Sequence, residues 1–254
     1  MIKRNYDSND ITFLKEVEKN HFWYILRNLL VEKLLSKHVP SNIAGEIIRI
    51  VDIGAGNGSS SLIIKRFGKY IAYESNFDAT KNCKLLHNIT VCGDAEKIAL
   101  KEKSIEIALM LDCLEHLKDD KEVLKEIKRI LKPRGKVIIF VPAFERLWTS
   151  FDTFSFHFRR YDKDSLGKLL VSAGFQIKES SYFFSVLFPI LYYFALYEKH
   201  VKKATYRHSW RKKLAPPFFL VNKLLFVFGK IELIFFKHLK VPFGTTCIYV
   251  AENN

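Results

Sequence analysis

The stretch RIVDIGAGNGSSSLIIKRFG, residues 49–68, decides how the chain is read. It places an apolar, β-branched run before glycines at 54, 56 and 58, and a helix-like run after them. A strand, a glycine-rich turn and a helix in that order bring bare backbone against a ligand at the carboxyl edge of a parallel sheet. Glycine is needed there because a side chain would collide with the ligand, or because φ must be positive. The next apolar run, KYIAYES, ends in Glu74, 22 positions beyond Asp52. A carboxylate so placed accepts hydrogen bonds from ribose hydroxyls, so the pattern predicts a ligand that carries a nucleoside. The dinucleotide fingerprint needs glycine at position 59, where this chain has Ser59, and a pyrophosphate cofactor is therefore disfavoured.

Outward from this stretch, apolar runs at 49–53, 69–74, 89–92, 105–111 and 136–141 alternate with helical patterns at 58–67, 78–86, 119–131 and 162–173. Near-continuous apolar strands separated by helices predict an α/β fold, a doubly wound, mostly parallel sheet covered on both faces. FQIKESSYF and the closing TTCIYVAE (245–252) add two strands, which makes seven. Pro133 and Gly135 in LKPRGK, and Gly174 in SAGFQI, stop one element and start the next. Residues 10–38 read as a helix, with Leu14, Val17, Phe22, Leu26, Leu30 and Leu34 at helical spacing. The expected organisation is a helical lid (1–44), a core (45–182), a helical, basic and aromatic insertion (183–244) and the last strand of the core (245–254).

The 254 residues suffice to bury a sizeable core, and 48% apolar with 27% charged residues is ordinary for a folded chain. The net charge of +14 is not ordinary. It suits nucleic acid, anionic membrane or acidic substrates without choosing among them. Cys83, Cys92, Cys113 and Cys247 show no CxxC spacing. They read as core residues in a reducing compartment, so neither a disulfide framework nor a metal site is expected. The N-terminal MIKRNYDSNDITF lacks the apolar core of a secretory signal, which predicts a cytoplasmic protein.

Several segments together resemble the class I S-adenosylmethionine-dependent methyltransferases, in particular their type 11-like group. VDIGAGNG is similar to the first motif of that family, AYES to the acidic end of its second strand, and VCGDAEKI to its turn beside the adenine. ALMLDCLEHLKD and ILKPRGKVIIFVPA resemble the fourth-strand segment and the following helix, turn and fifth strand, so that the likeness covers roughly 45–180 and 245–252. The resemblance implies S-adenosylmethionine as cofactor, with Asp52, Gly54 and Gly56 at its methionine end and Asn57 and Gly58 beside them. It implies Glu74 at the ribose, Asp94 and Ala95 at the adenine, and Asp112 where the cofactor opens toward the acceptor. His116, in CLEHL, reads more readily as packing at the sheet edge than as a catalytic group. Trp23 and Arg27 are four apart on one helix face. Many members of the group carry a similar aromatic-plus-arginine helix as a lid, which implies that Arg27 pairs with the cofactor's carboxylate. The alternative is a surface arginine beside an anchoring tryptophan.

VPAFERLWTSFDTFSFHFRRYDKDSL follows the fifth strand, where this fold overhangs the methyl donor. It holds His157, Arg159, Arg160 and Tyr161. Two adjacent arginines suggest an anionic acceptor held by forked hydrogen bonds, and His157 is the candidate general base. The competing expectation is a capping and salt-bridge cluster with Asp162 and Asp164.

Residues 182–243 hold 17 of the chain's 36 aromatics, and 199–240 hold eleven Lys and Arg against a single acid, Glu232. The sixteen uncharged residues 182–197 contain Pro189 and fall short of the ~20 that a spanning helix needs. Lys223, Lys230 and Lys237, seven apart, form one polar stripe on an otherwise apolar helix. Such a helix suits a membrane surface, half immersed, with RHSWRKK (207–213) over anionic headgroups. Packing on the domain, pairing in an oligomer and nucleic-acid binding are the alternatives, the last favoured less because Phe and Leu runs suit lipid. The sequence thus predicts methyl transfer to a small or lipid-linked, anionic acceptor at the cytoplasmic membrane face. A second class is an RNA or protein methyltransferase that grips its substrate with the insertion. A third, cofactor binding without transfer, conflicts with the intact glycine loop.

Overall fold

The structure, a computed structural model, describes residues 8–39, 47–86, 89–200, 215–236 and 241–254. The helices are α1 (Ser8–Asn20), α2 (Phe22–His38), α3 (Ser61–Ile64), α4 (Phe77–Leu85), α5 (Asp120–Ile130), α6 (Ser150–Phe154), α7 (Lys163–Ser172), α8 (Leu187–His200) and α9 (Phe219–Phe235). The strands are β1 (Arg49–Ile53), β2 (Lys69–Glu74), β3 (Ile89–Cys92), β4 (Ile105–Leu111), β5 (Leu131–Pro142), β6 (Phe175–Phe183) and β7 (Thr246–Asn253). They form one seven-stranded sheet in the order β3-β2-β1-β4-β5-β7-β6. β3, β2, β1, β4 and β5 pair in parallel, and β7 runs antiparallel between β5 and β6. The order reverses direction at β1 and β4, so the loops leaving their carboxyl ends diverge and open a crevice.

Alternation along the buried strands sends successive side chains to opposite faces. Val51, Ile53, Ala108, Met110 and Ile139 meet Leu124, Ile127, Leu166 and Leu170 of α5 and α7. Ile50, Leu109, Ile138, Phe140 and Val250 meet Leu26, Leu30 and Leu34 of α2 on the other face.

Three local readings change. The single helix expected over 10–38 is two, because His21 is extended and its Nδ1 accepts the Trp23 N–H at 3.1 Å as an N-cap. The pattern at 58–67 yields only the four residues of α3, since the glycine turn consumes the preceding residues. The KPRG turn does not precede β5 but lies within it, and the ladder with β4 shifts register between Ile105 and Ile107.

The described part of the insertion is built mainly of two helices, α8 and α9, and the RHSWRKK segment (207–213) and Lys237 lie outside the described residues. Pro189 occupies the first turn of α8, where its missing N–H leaves no helical bond unmade. α9 packs on α2, and a Cβ on Gly229 would come within 2.1 Å of Leu26 Cδ1. Asn222 of α9 accepts the Phe22 N–H and donates to the Asn20 carbonyl, each at 3.0 Å, which pins the α1–α2 junction. Among the described residues, no helix is long and apolar enough to cross a membrane.

The far end of α2 is tied to β6 by Glu179, which accepts from Lys37 Nζ at 2.6 Å and pairs with His38 Nε2 at 2.9 Å. The hydrogen bond from His38 outweighs burial and, with Lys37, holds the Glu179 carboxyl at about 2, below its ordinary 4.5. A depressed carboxylate contributes stability that is present above the unfolded value and is lost as pH falls toward the folded one. The urea midpoint of Glu179→Gln should therefore lie below that of the unaltered protein at about pH 6, with the gap closing as pH falls from 4.5 toward 2. A gap that stays constant over that window would sink this account.

Candidate active site

The turn after β1 is built from backbone that most residues avoid. Gly54, Gly56 and Gly58 have φ of +77°, +55° and +74°. A Cβ on Gly54 would lie 2.4 Å from Cys113 Sγ and 2.9 Å from its Cβ, so this glycine is required twice over. Gly56 has open space around it, and only its backbone conformation calls for glycine. Glu74, at the end of β2, accepts the Gly56 N–H on Oε2 at 2.9 Å and the Asn76 N–H on Oε1 at 2.8 Å. The carboxylate thereby fastens the glycine turn to the next crossover, and Oε2 keeps a lone pair for a further donor.

These loops, the lid helices and α8 enclose a cavity of about 810 Å³, within the ~300–1,000 Å³ range of small-molecule sites. Trp23, Arg27, Gly54, Glu74, Ala95, Asp112, His157 and Arg160 line it, as do Glu18, Glu115, His116, Leu191 and Phe194. Asp52, Gly56, Asn57, Gly58 and Asp94 are not among the residues that line it. Asp52 sits beneath the glycine turn and accepts from the Tyr70 hydroxyl at 3.0 Å. Burial pushes its carboxyl up to about 6 against that hydrogen bond. Asp94 is exposed, and its Oδ1 is spent on the Glu96 N–H at 2.9 Å.

Arg27 is the buried cation of the lid end. Its Nη1 donates to Asp112 Oδ2 at 3.0 Å, and its Cζ lies 5.3 Å from the ring centroids of both Trp23 and Tyr24. Asp112 receives it from a left-handed backbone, φ +57°, strained for a non-glycine residue. Burial raises the Asp112 carboxyl and Arg27 opposes that. Arg27 Nε and, on α1, Glu18 Oε2 are among the buried side-chain atoms that have no hydrogen-bond partner among the described residues. A free guanidinium donor and a free carboxylate acceptor on one cavity wall complement the α-carboxylate and α-ammonium of an amino acid. The cavity thus presents a guanidinium donor at Arg27 and, at Glu74, a carboxylate oxygen with a lone pair to spare.

The opposite end is organised by Asp152 on α6, which is fully buried. Arg160 grips it with two bonds, Nε to Oδ1 at 2.8 Å and Nη2 to Oδ2 at 2.9 Å. The Thr149 N–H adds a third at 2.8 Å, and His157 Nδ1 a fourth, also at 2.8 Å. Burial raises the carboxyl, but the bonds from His157 and Arg160 win and hold it at about 2. Being ionised, Asp152 can only accept, so the His157 proton sits on Nδ1 and Nε2 is left for another partner. The His116 ring meets the His157 ring edge-on at 4.6 Å. Burial, reinforced by the charge of Asp112, raises the Glu115 carboxyl well above its ordinary value.

Two expected acceptor contacts are corrected. Arg159 Nη1 pairs with Asp120 Oδ2 at 2.6 Å, and Tyr161 donates to the same oxygen at 3.0 Å, so both hold the start of α5 and neither lines the cavity. Arg160 does line it, with its fork taken by Asp152. The salt-bridge cluster foreseen as the alternative thus exists, with Asp120 and Asp152 as its acids. Asp162 instead caps α7, accepting the Ser165 N–H at 2.8 Å. Glu18 was not foreseen, because nothing in its local sequence marks it apart from other helical glutamates.

Residues 51–139 match the family model described as a methyltransferase domain. A demethylmenaquinone methyltransferase of Tropheryma whipplei is 29% identical over 121 residues, which is 41% of this chain and 48% of that protein. The chain spans about a third to a half of the length of the curated relatives it matches. A SAM-dependent methyltransferase from Thermotoga maritima has a similar fold, with a TM-score of 0.59 at 19% identity over 96% of this chain and 97% of that one. Phosphoethanolamine N-methyltransferase 2 of Haemonchus contortus, in complex with S-adenosyl-L-methionine, gives 0.64 at 17% identity over 99% of this chain and 58% of that one. Within the α/β core, residues 51–139 thus match a methyltransferase domain, on a fold shared with solved S-adenosylmethionine-dependent methyltransferases. S-adenosylmethionine is the cofactor to which that match and that fold point.

The two glycines at the head of the turn should separate packing from conformation. Gly54→Ala is expected to cost about 2–4 kcal/mol of unfolding free energy and to abolish S-adenosylhomocysteine binding by calorimetry, since clash and strain add. Gly56→Ala should cost about 1–2 kcal/mol, strain alone. Equal losses would refute the part given to Cys113.

Proposed function

We propose that this protein transfers a methyl group from S-adenosylmethionine to an apolar, lipid-linked acceptor taken up at a membrane surface. The observation that carries this is the position of α8. Leu191 and Phe194 form part of the cavity wall, while Ile190, Tyr193 and Tyr197 of the same helix stand 59%, 71% and 59% exposed. α9 carries an exposed apolar face of its own. Its inner stripe of Leu225, Phe226, Gly229 and Leu233 packs inward, and Phe219, Leu220, Leu224, Val227, Phe228, Ile231 and Phe235 are exposed. An apolar outer face of this kind, which among the described residues of α9 is interrupted by Lys223 and Lys230, calls for an apolar partner, and a membrane with anionic headgroups satisfies both residue types. The Tropheryma whipplei relative is named for demethylmenaquinone, which agrees with a small acceptor in a cavity better than with a macromolecule.

S-adenosylmethionine supplies a methyl group on a sulfonium that is its own leaving group. In this reading Arg27 Nε and Glu18 Oε2 hold its amino-acid end, Glu74 its ribose, and Ala95 its adenine. Fixing the donor in this way lets in-line approach supply much of the rate. His157, its ring fixed by Asp152, faces the acceptor's nucleophile from the other end. Negative charge on the acceptor, expected from the paired arginines, is not retained, because Arg159 is taken by Asp120 and the Lys118 carbonyl and Arg160 by Asp152.

Two measurements test this. With radiolabelled methyl donor and a membrane lipid extract, label should enter the organic phase. Label found only in RNA or protein would overturn the lipid acceptor. The protein should float with anionic liposomes, and Phe219→Glu/Phe228→Glu should abolish flotation while the circular dichroism spectrum is kept. Phe226, half-buried in the core, is a poorer probe than these exposed positions.

A further inference from the structure

Three side chains of metal-binding type meet at the acceptor end, and holding the methyl donor uses none of them. We infer that Glu115, His116 and His157 bind one divalent transition-metal ion, which in turn holds an oxygen of the acceptor. This rests on the reading that the acceptor enters at this end. The ligand atoms of the three lie within 4.8 Å of one another. Bonds of about 2.1 Å allow donors up to about 4.2 Å apart, so rotation of the side chains closes the set on one ion.

Glu115 supplies the first independent sign. It is 1% exposed and lines the cavity, yet its Oε2 has no hydrogen-bond partner among the described residues. A buried carboxylate oxygen left unpaired is costly, and a bound cation satisfies it. His157 supplies the second. Its Nδ1 donates to Asp152, a carboxylate itself locked by Arg160 and Thr149. Metal-ligating histidines carry this outer support, which fixes the ring, directs Nε2 toward the ion and raises its basicity. The third sign is the meeting of the two imidazoles, whose ring centroids lie 4.6 Å apart. The segments are clamped together by the Phe158 N–H donating to the Glu115 carbonyl at 2.8 Å.

Two imidazoles and one carboxylate suit zinc, manganese, cobalt or ferrous ions better than calcium or magnesium. Three protein ligands leave positions open toward the cavity. An acceptor O–H bound there is acidified and gives its proton to water. The oxygen pair then forms the bond to the methyl carbon, and sulfur keeps the pair of the broken carbon–sulfur bond. The ion so replaces His157 as the means of activating the acceptor, with His157 acting as ligand. Cysteine spacing gave no sign of this site, since its ligands come from two segments far apart in the chain.

The test is Co²⁺ titration of tag-free, chelator-stripped full-length protein, read by visible absorption and calorimetry. One Co²⁺ per chain is expected. His116→Ala and His157→Ala should each weaken it at least tenfold, with S-adenosylhomocysteine binding and circular dichroism unchanged as evidence of folding. Chelation should stop methyl transfer to lipid extract and Co²⁺ or Zn²⁺ restore it. Absence of Co²⁺ binding, or binding that survives both histidine variants, would overturn the site. Transfer that ignores chelators but is lost in His157→Ala would do the same and leave His157 as base. Stoichiometric, histidine-dependent Co²⁺ binding without transfer to any lipid would uphold the site and discard the acceptor reading instead.

Discussion

Backbone at Gly54 lies so close to Cys113 that no side chain fits between them, and the cavity is framed on that contact. It joins the loops that leave β1 and β4, adjacent strands whose crossovers go opposite ways. Positive φ at Gly54, Gly56, Gly58 and Asp112 turns both loops back over the sheet edge. Glu74 then fastens the glycine turn to the crossover after β2 through backbone N–H groups on each oxygen. A site built on strand ends in this way holds its geometry better than one carried on free loops.

Around that frame the chain buries charge in pairs. Arg27 with Asp112 and Arg160 with Asp152 sit at opposite ends of the cavity, each with side chains mostly or wholly out of solvent. Burial alone would neutralise such carboxylates. At Asp152 five hydrogen bonds reverse that tendency, whereas at Glu115, which has no such set of donors, burial prevails. The reorganisation of these groups is completed on folding, so they stand oriented before any ligand arrives.

The insertion is continuous with the lid. Gly229 lets α9 approach Leu26, and Asn222 bonds to both residues flanking the break at His21. The helix that sets Arg27 in the cavity is therefore packed against the helix whose outer face is exposed and apolar. Close packing makes such helix pairs move together rather than bend independently.

Much of this was legible in the chain itself. The strands, their order of alternation with helices, the glycine turn and Glu74 follow from local signals: two-residue or unbroken apolar patterns, positive φ that only glycine adopts freely, and a fixed spacing from Asp52 to Glu74. The extent of β5 and α3 and the break at His21 were not, because a cap or a ladder partner decides each of them. Nor could the sequence choose which carboxylate each arginine of the RRY cluster would meet, or that Phe226 would turn inward and Phe228 outward. Glu18, Glu115 and His157 are brought to one cavity only by folding. Local propensity settles what an element is, while contacts between residues distant in the chain settle which side chains share a cavity and which charges neutralise one another.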